Sequence, residues 1–96
     1  MDNKYLKEEL EKINEKSSVK ELQKYINDMI EIRGFDKETP QDIMLLLTEE
    51  IGELAKEVRK TTSIKVDSGI KRNETDVKGE IADVFMYVLC MCRAMN

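Results

Sequence analysis

Residues 39–60 read TPQDIMLLLTEEIGELAKEVRK, and residues 79–89 read GEIADVFMYVL. In the first stretch Ile43, Met44, Leu47, Ile51, Leu54 and Val58 share one arc at the roughly 100° per residue of an α-helix. Glu50, Glu53 and Glu57 line the edge of that arc. The second stretch sits in a helix expected from about Asp76 to Ala94. Its apolar stripe is Val77, Ile81, Val84, Val88, Met91 and Met95, and Asp76, Glu80, Asp83 and Tyr87 lie along the edge. Each helix thus carries two carboxylates three residues apart, Glu50 with Glu53 and Glu80 with Asp83. That spacing makes them neighbours on a helix surface. A small residue, Gly52 or Ala82, precedes the second carboxylate of each pair. Glycine in mid-helix costs about 1 kcal/mol against alanine, and a close helix crossing would account for Gly52.

Two such helices joined by a short loop are expected to be antiparallel neighbours, which brings the acidic pairs to one cavity. Four carboxylates beside an apolar stripe repel one another unless a cation sits among them. Mg²⁺ prefers oxygen ligands and leaves room for phosphate oxygens, so the pattern points to a divalent metal and to phosphate chemistry. The alternative is a solvated acidic face, which 20 acidic residues in 96 can supply by chance. A di-iron or di-manganese bundle would use Glu-x-x-His motifs, and the chain has no His. Histidine-based nucleophilic triads are absent for the same reason. No glycine-rich phosphate loop occurs.

The remaining chain reads as all-α. Ser18 and Glu21 have the spacing of a capping box, opening a helix from about Val19 to Arg33 whose buried face is Leu22, Ile26, Met29 and Ile30. Gly34 suits the left-handed residue that closes a helix, with Phe35 packing back on the last turn. Thr39 or Pro40 begins the next helix, which should reach about Lys60; proline is tolerated at a first helical position. Residues 1–16, with Leu6, Leu10 and Ile13 at helical spacing, form an amphipathic helix or a frayed arm. Residues 61–73 read as a loop with Gly69 near its tip, with a short strand at Ile64 and Val66 as the alternative. Thr75 is a candidate cap for the last helix, with Asp76 in its first turn.

The 96 residues make a single small helical domain spanning 1–96, of which 1–17 are an N-terminal arm or helix. A domain of this size buries a modest share of its surface. Beyond Asp83 the last helix is apolar nearly all round, through Phe85, Met86, Leu89, Cys90 and Cys92. Such a helix needs cover on every side, so a homodimer or a dimer of dimers is expected. The net charge of −4 argues against a nucleic-acid surface. The apolar run from Ile81 to Cys92 is interrupted by Asp83 and is too short to span a bilayer. The N-terminus is charged, so no signal peptide is expected in it. Cys90 and Cys92 are too few for a structural zinc site and are expected as buried thiols in a reducing compartment, which sets a cytoplasmic location as the expectation.

Taken together, Gly34-Phe35, Thr39-Pro40, LLLTEEIGELAKEVRK (45–60) and GEIADVFMYVL (79–89) resemble the MazG-like nucleotide pyrophosphohydrolases, members of the all-α NTP pyrophosphatase superfamily. The resemblance covers about residues 19–96. It implies an antiparallel helical bundle that assembles as an oligomer. It further implies that Glu50, Glu53, Glu80 and Asp83 coordinate Mg²⁺, with Mn²⁺ as a substitute, and that a nucleoside triphosphate and water give a nucleoside monophosphate and pyrophosphate. Glu50 or Glu53 is then the candidate base. Lys56, Lys60, Arg72 and Lys78 are candidates to neutralise the triphosphate, Tyr87 to contact the nucleotide, Asn27 and Arg33 to reach a base, and Glu49 to support the metal ligands. Many members carry a tryptophan near the base pocket and a further helical segment; this chain has no tryptophan, and the sequence stops at Asn96. The alternative function is therefore a catalytically incomplete nucleotide- or metal-binding helical module for regulation or oligomerisation.

Overall fold

Each long helix starts where a short polar side chain takes over backbone N–H groups that the helix itself leaves unpaired. A computed structural model describes residues 2–62 and 76–95, and these contain α1 (Asn3–Glu11), α2 (Val19–Ile32), α3 (Pro40–Arg59) and α4 (Val77–Met95). No β-strand occurs among the described residues. At the start of α2 the Ser18 hydroxyl accepts from the Glu21 N–H at 3.1 Å, and the Glu21 carboxylate accepts from the Ser18 N–H at 3.4 Å. The start of α3 repeats this reciprocal cap with Thr39 and Asp42, at 3.2 and 3.0 Å. Thr39 is the N-cap and Pro40 occupies the first turn. At α4 the cap is Asp76, whose Oδ1 accepts from the Gly79 N–H at 3.2 Å. Thr75, the expected cap, lies outside the described residues, as does the expected loop beyond Thr62.

The end of α2 shows why Gly34 stands where it does. Its φ of 76° lies in the left-handed region, which lacks a steric penalty only for glycine. That turn lets the Phe35 N–H donate to the Ile30 carbonyl at 2.9 Å and the Gly34 N–H to the Glu31 carbonyl at 3.3 Å. The last carbonyls of α2 are thereby satisfied.

Packing runs in a chain: α1 on α2, α2 on α4, and α4 on α3. The core is a cluster of Leu6, Ile26, Met29, Ile30 and Leu89, with Leu22, Met86 and Cys90 packed against it. Residues 3–11 are therefore a docked helix and not a frayed arm. Leu6 is buried while Leu10 is exposed. A polar latch reinforces α1: the Tyr5 hydroxyl donates to Asp28 at 2.9 Å, and Lys24 donates to both.

Several expected core positions on α3 and α4 are not covered within the chain. Ile43 is the one buried residue of α3, and Leu89 the one of α4. Met44, Ile51, Val58, Ile81, Val88 and Met95 are exposed. The reason is rotational. α4 turns Leu89, Met86 and Cys90 toward α2 and its acidic edge toward α3, so half of its stripe faces outward. Gly52 is exposed as well, and a Cβ there would meet nothing within 4 Å, so no close crossing among the described residues explains it. Cys92 is exposed and Cys90 is half-buried, which corrects the expectation of two buried thiols.

Truncating a buried leucine typically costs about 2–5 kcal/mol, so Leu6→Ala should lower the chemical-denaturation midpoint clearly. Leu10→Ala, one turn on and exposed, should change stability by less than about 0.5 kcal/mol. Equal effects from the two would show that α1 is not docked through Leu6.

Candidate metal centre

The pairing of α3 and α4 is antiparallel, because the contacts descend one helix as they climb the other. Glu57 meets Asp76, whose N–H donates to Glu57 Oε2 at 3.4 Å. Glu50 meets Glu80 and Asp83. Pro40 and Ile43 share a cleft with Tyr87, Cys90 and Ala94. The first contact is held by a clasp: Lys60 Nζ donates to Glu57 Oε1 at 3.2 Å, and both side chains are largely shielded, at 14% and 15% exposure. The hydrogen bond from Lys60, aided by that from Asp76, holds the Glu57 carboxyl below its ordinary range. A Cβ at Gly79 would collide with the Asp76 carboxylate, so glycine leaves room for the cap that starts α4.

One turn further along, carboxylate oxygens of Glu50, Glu80 and Asp83 all lie within 4.8 Å of one another, and each residue is half-buried. The Oε2 of Glu80 is shielded from solvent and has no hydrogen-bond partner among the described residues. Like charges this close are costly when water cannot separate them. The Glu80 carboxyl is accordingly pushed above its ordinary value of 4.5, first by loss of solvent, then by the Glu50 carboxylate, with Asp83 and Glu53 adding to it. The donor set is all oxygen, which suits a hard divalent cation such as Mg²⁺ or Mn²⁺. A shielded, unpartnered carboxylate oxygen among like charges is the arrangement that such an ion would satisfy. Glu53 stands apart from this trio. It is exposed and contributes only to the field at Glu80.

The trio opens into a cleft of about 600 Å³, of the size that holds small ligands. Glu50 and Asp83 stand in its wall, Leu46, Ile43 and Met86 supply apolar lining, and Phe35 and Tyr87 supply aromatic rings. Burial first, and then the Glu50 and Glu38 carboxylates, raise the Tyr87 hydroxyl above its ordinary 10.0. Burial likewise raises the Cys90 thiol, with Glu38 adding to the effect, so Cys90 sits in the wall as a neutral group.

The other sequence candidates divide. Tyr87 and Arg33 line the cleft. Asn27 does not; its side chain accepts from Gln23, which also donates to the Leu89 carbonyl at 3.0 Å. Lys60 is engaged by Glu57. Lys56, Lys78 and Glu49 are exposed. Arg72 lies outside the described residues. Sequence reading missed the part of the wall built by Phe35, Asp36 and Glu38 and by Arg93. A signal was available: Gly34 ends one helix and Thr39 starts the next, so the four residues between them must stay close to α3 and α4.

Comparison with known proteins finds that residues 38–96 match the MazG nucleotide pyrophosphohydrolase domain family. This span contains all four motif carboxylates and begins later than the resemblance at residue 19. No curated protein and no solved structure matches the chain.

A carboxyl whose folded pKa is raised favours the fold when protonated, and that contribution fades as pH rises through the raised value. Metal-free protein should therefore gain stability as the pH is lowered from neutrality toward 4.5 at this site. Millimolar Mg²⁺ at neutral pH should raise Tm, because a ligand of the native state stabilises it by mass action. Glu80→Gln should raise the metal-free Tm and abolish the Mg²⁺ shift; a lowered Tm with the shift intact would exclude Glu80 from a cation site.

Proposed function

This chain belongs to the MazG nucleotide pyrophosphohydrolase domain family, and on that premise we propose that it is a Mg²⁺-dependent nucleoside triphosphate pyrophosphohydrolase. The reaction is NTP plus water giving NMP and pyrophosphate, in a nucleotide-pool house-cleaning role in the cytoplasm. The observation that carries this reading is the convergence of Glu50, Glu80 and Asp83, within 4.8 Å, on one end of a nucleoside-sized cleft.

In this reading Glu50, Glu80 and Asp83 would hold the ion, with the exposed Glu53 as a further carboxylate of the motif. A divalent cation supplies the positive charge that gathers phosphate oxygens and makes nearby water easier to deprotonate. Water attacks the α-phosphorus, the bond from that phosphorus to the bridging oxygen breaks, and pyrophosphate departs. Glu53 is the carboxylate best left to take the proton from that water, since it is exposed and outside the close trio. Tyr87 and Phe35 enclose the nucleoside, and the apolar wall excludes water from its face. Lys56 is available to the outgoing phosphates, as is Lys60 once Glu57 releases it; Arg72 is a further candidate.

The test is pyrophosphate release across a panel of nucleotides with Mg²⁺. Turnover should vanish with a chelator. Glu53→Gln should lower kcat by about a hundredfold or more while the Mg²⁺-induced Tm shift largely survives, and Asp83→Asn should lose both. Turnover that persists without divalent metal would refute this mechanism. Nucleotide binding with no pyrophosphate release would make the chain a binding module.

Self-association belongs to the same reading. Met44, Leu45, Ile51 and Val58 of α3 and Ile81, Phe85, Val88 and Met95 of α4 are exposed, more apolar surface than a monomer normally leaves in water. A second copy would cover it, as a homodimer or within a dimer of dimers. Sedimentation at micromolar concentration should give a dimer or larger, and Phe85→Glu should shift it toward monomer. A wild-type monomer at that concentration would overturn the assembly.

A further inference from the structure

Among the charged groups that line the cleft, Glu38 is half-buried and is used by neither the metal site nor the fold. Its carboxylate makes no hydrogen bond or ion pair with any described residue. The caps on either side of it are complete without it, since Thr39 pairs with Asp42 and the turn is closed through backbone groups. Glu38 directly precedes Thr39, the N-cap of α3, and shares the cleft wall with Pro40, Cys90 and Ala94, so it stands toward the end of the cleft away from the acidic trio. Ten residues of α3 separate Pro40 from Glu50, about 15 Å at the helical rise. If the triphosphate sits at Glu50 and Asp83, the end near Glu38 receives the far edge of the nucleobase.

We propose that Glu38 is a specificity-determining residue that accepts a hydrogen bond from the exocyclic amino group of the base, so the enzyme favours cytosine and adenine nucleotides over those with a carbonyl at the same position. This deepens the proposed function and rests on it. Cytosine and adenine present an N–H donor at that position, whereas uracil, thymine, guanine and hypoxanthine present an oxygen acceptor. A carboxylate has only acceptor oxygens. With an amino base it makes a charge-assisted hydrogen bond; with a carbonyl base held in the same pose it meets another acceptor, and reaching the ring N–H beside that carbonyl requires the base to shift within the cleft. Discrimination therefore combines attraction and repulsion. A flanking Arg33 or Arg93 does not cancel this preference: Arg93 lies 3.6 Å from Glu31, and neither pairs with Glu38.

Two substrate pairs that differ only in this group, dCTP with dUTP and dATP with dITP, provide the test. For the wild type, kcat/KM should favour the amino member of each pair by about tenfold or more. Glu38→Gln should bring each ratio to within about twofold, because an amide can turn either its oxygen or its NH₂ to the base. It should do so by raising kcat/KM for dUTP and dITP while lowering it for dCTP and dATP; general damage would lower all four. Equal or reversed preference in the wild type, or an unchanged ratio in Glu38→Gln, overturns the assignment. Calorimetric affinities for the non-hydrolysable α,β-methylene analogues of dCTP and dUTP, with Mg²⁺, read the same selectivity without turnover. An amino preference in binding that disappears in Glu38→Gln, with no pyrophosphate released, would sustain the role of Glu38 and refute the hydrolase; turnover with no preference would do the reverse.

Discussion

The mutual repulsion of carboxylates on two packed helices is the constraint from which the rest of this structure follows. Antiparallel pairing of α3 and α4 sets Glu50 against Glu80 and Asp83, where loss of solvent first and the neighbouring carboxylates second raise the Glu80 carboxyl and leave one of its oxygens shielded and without a partner among the described residues. Such a contact would drive the helices apart if nothing else held them. Two devices oppose it. Below the trio, Glu57 joins Lys60 to the first backbone N–H before α4. Above it, Ile43, Leu46 and Met86 line the cleft with apolar surface. The strained contact is thus fixed at both ends, which keeps the oxygens converged and ready for a cation.

The early part of the chain gives that helix pair its shape. α2 covers the face of α4 that carries Leu89 and Met86, and α1 covers α2 through Leu6 and the latch of Tyr5, Lys24 and Asp28. The sharp Gly34 turn then returns the backbone to α3 within a few residues. This returning segment brings Phe35 and Asp36 into the same cleft wall as Tyr87, so the cleft is walled partly by residues that precede the matched family span of 38–96.

The two acidic pairs were legible because their spacing is local. Residues three apart on a helix share a face whatever surrounds them, and the caps at Ser18 and Thr39 and the turn at Gly34 depend only on nearby backbone. Which side of an apolar helix is covered is a different question. Periodicity marked Val77, Ile81, Val84, Val88, Met91 and Met95 as one stripe, yet α4 buries Leu89 instead, because α2 approaches from the other side. For the same reason Gly52 suggested a crossing that the chain does not make.

The sequence by itself determined where α2 and α3 start, where α2 stops, and that Glu50, Glu53, Glu80 and Asp83 stand beside apolar arcs. Those are consequences of hydrogen bonding and side-chain direction within a few residues. Only the tertiary structure decided that Glu50, Glu80 and Asp83 draw together while Glu53 stays in solvent, that Glu57 takes Lys60, and that Glu38 looks into the cleft unpaired. Those outcomes depend on the rotation of each helix about its axis and on the path of the connection between α2 and α3. Both are set by packing across the whole chain, where no local pattern records them.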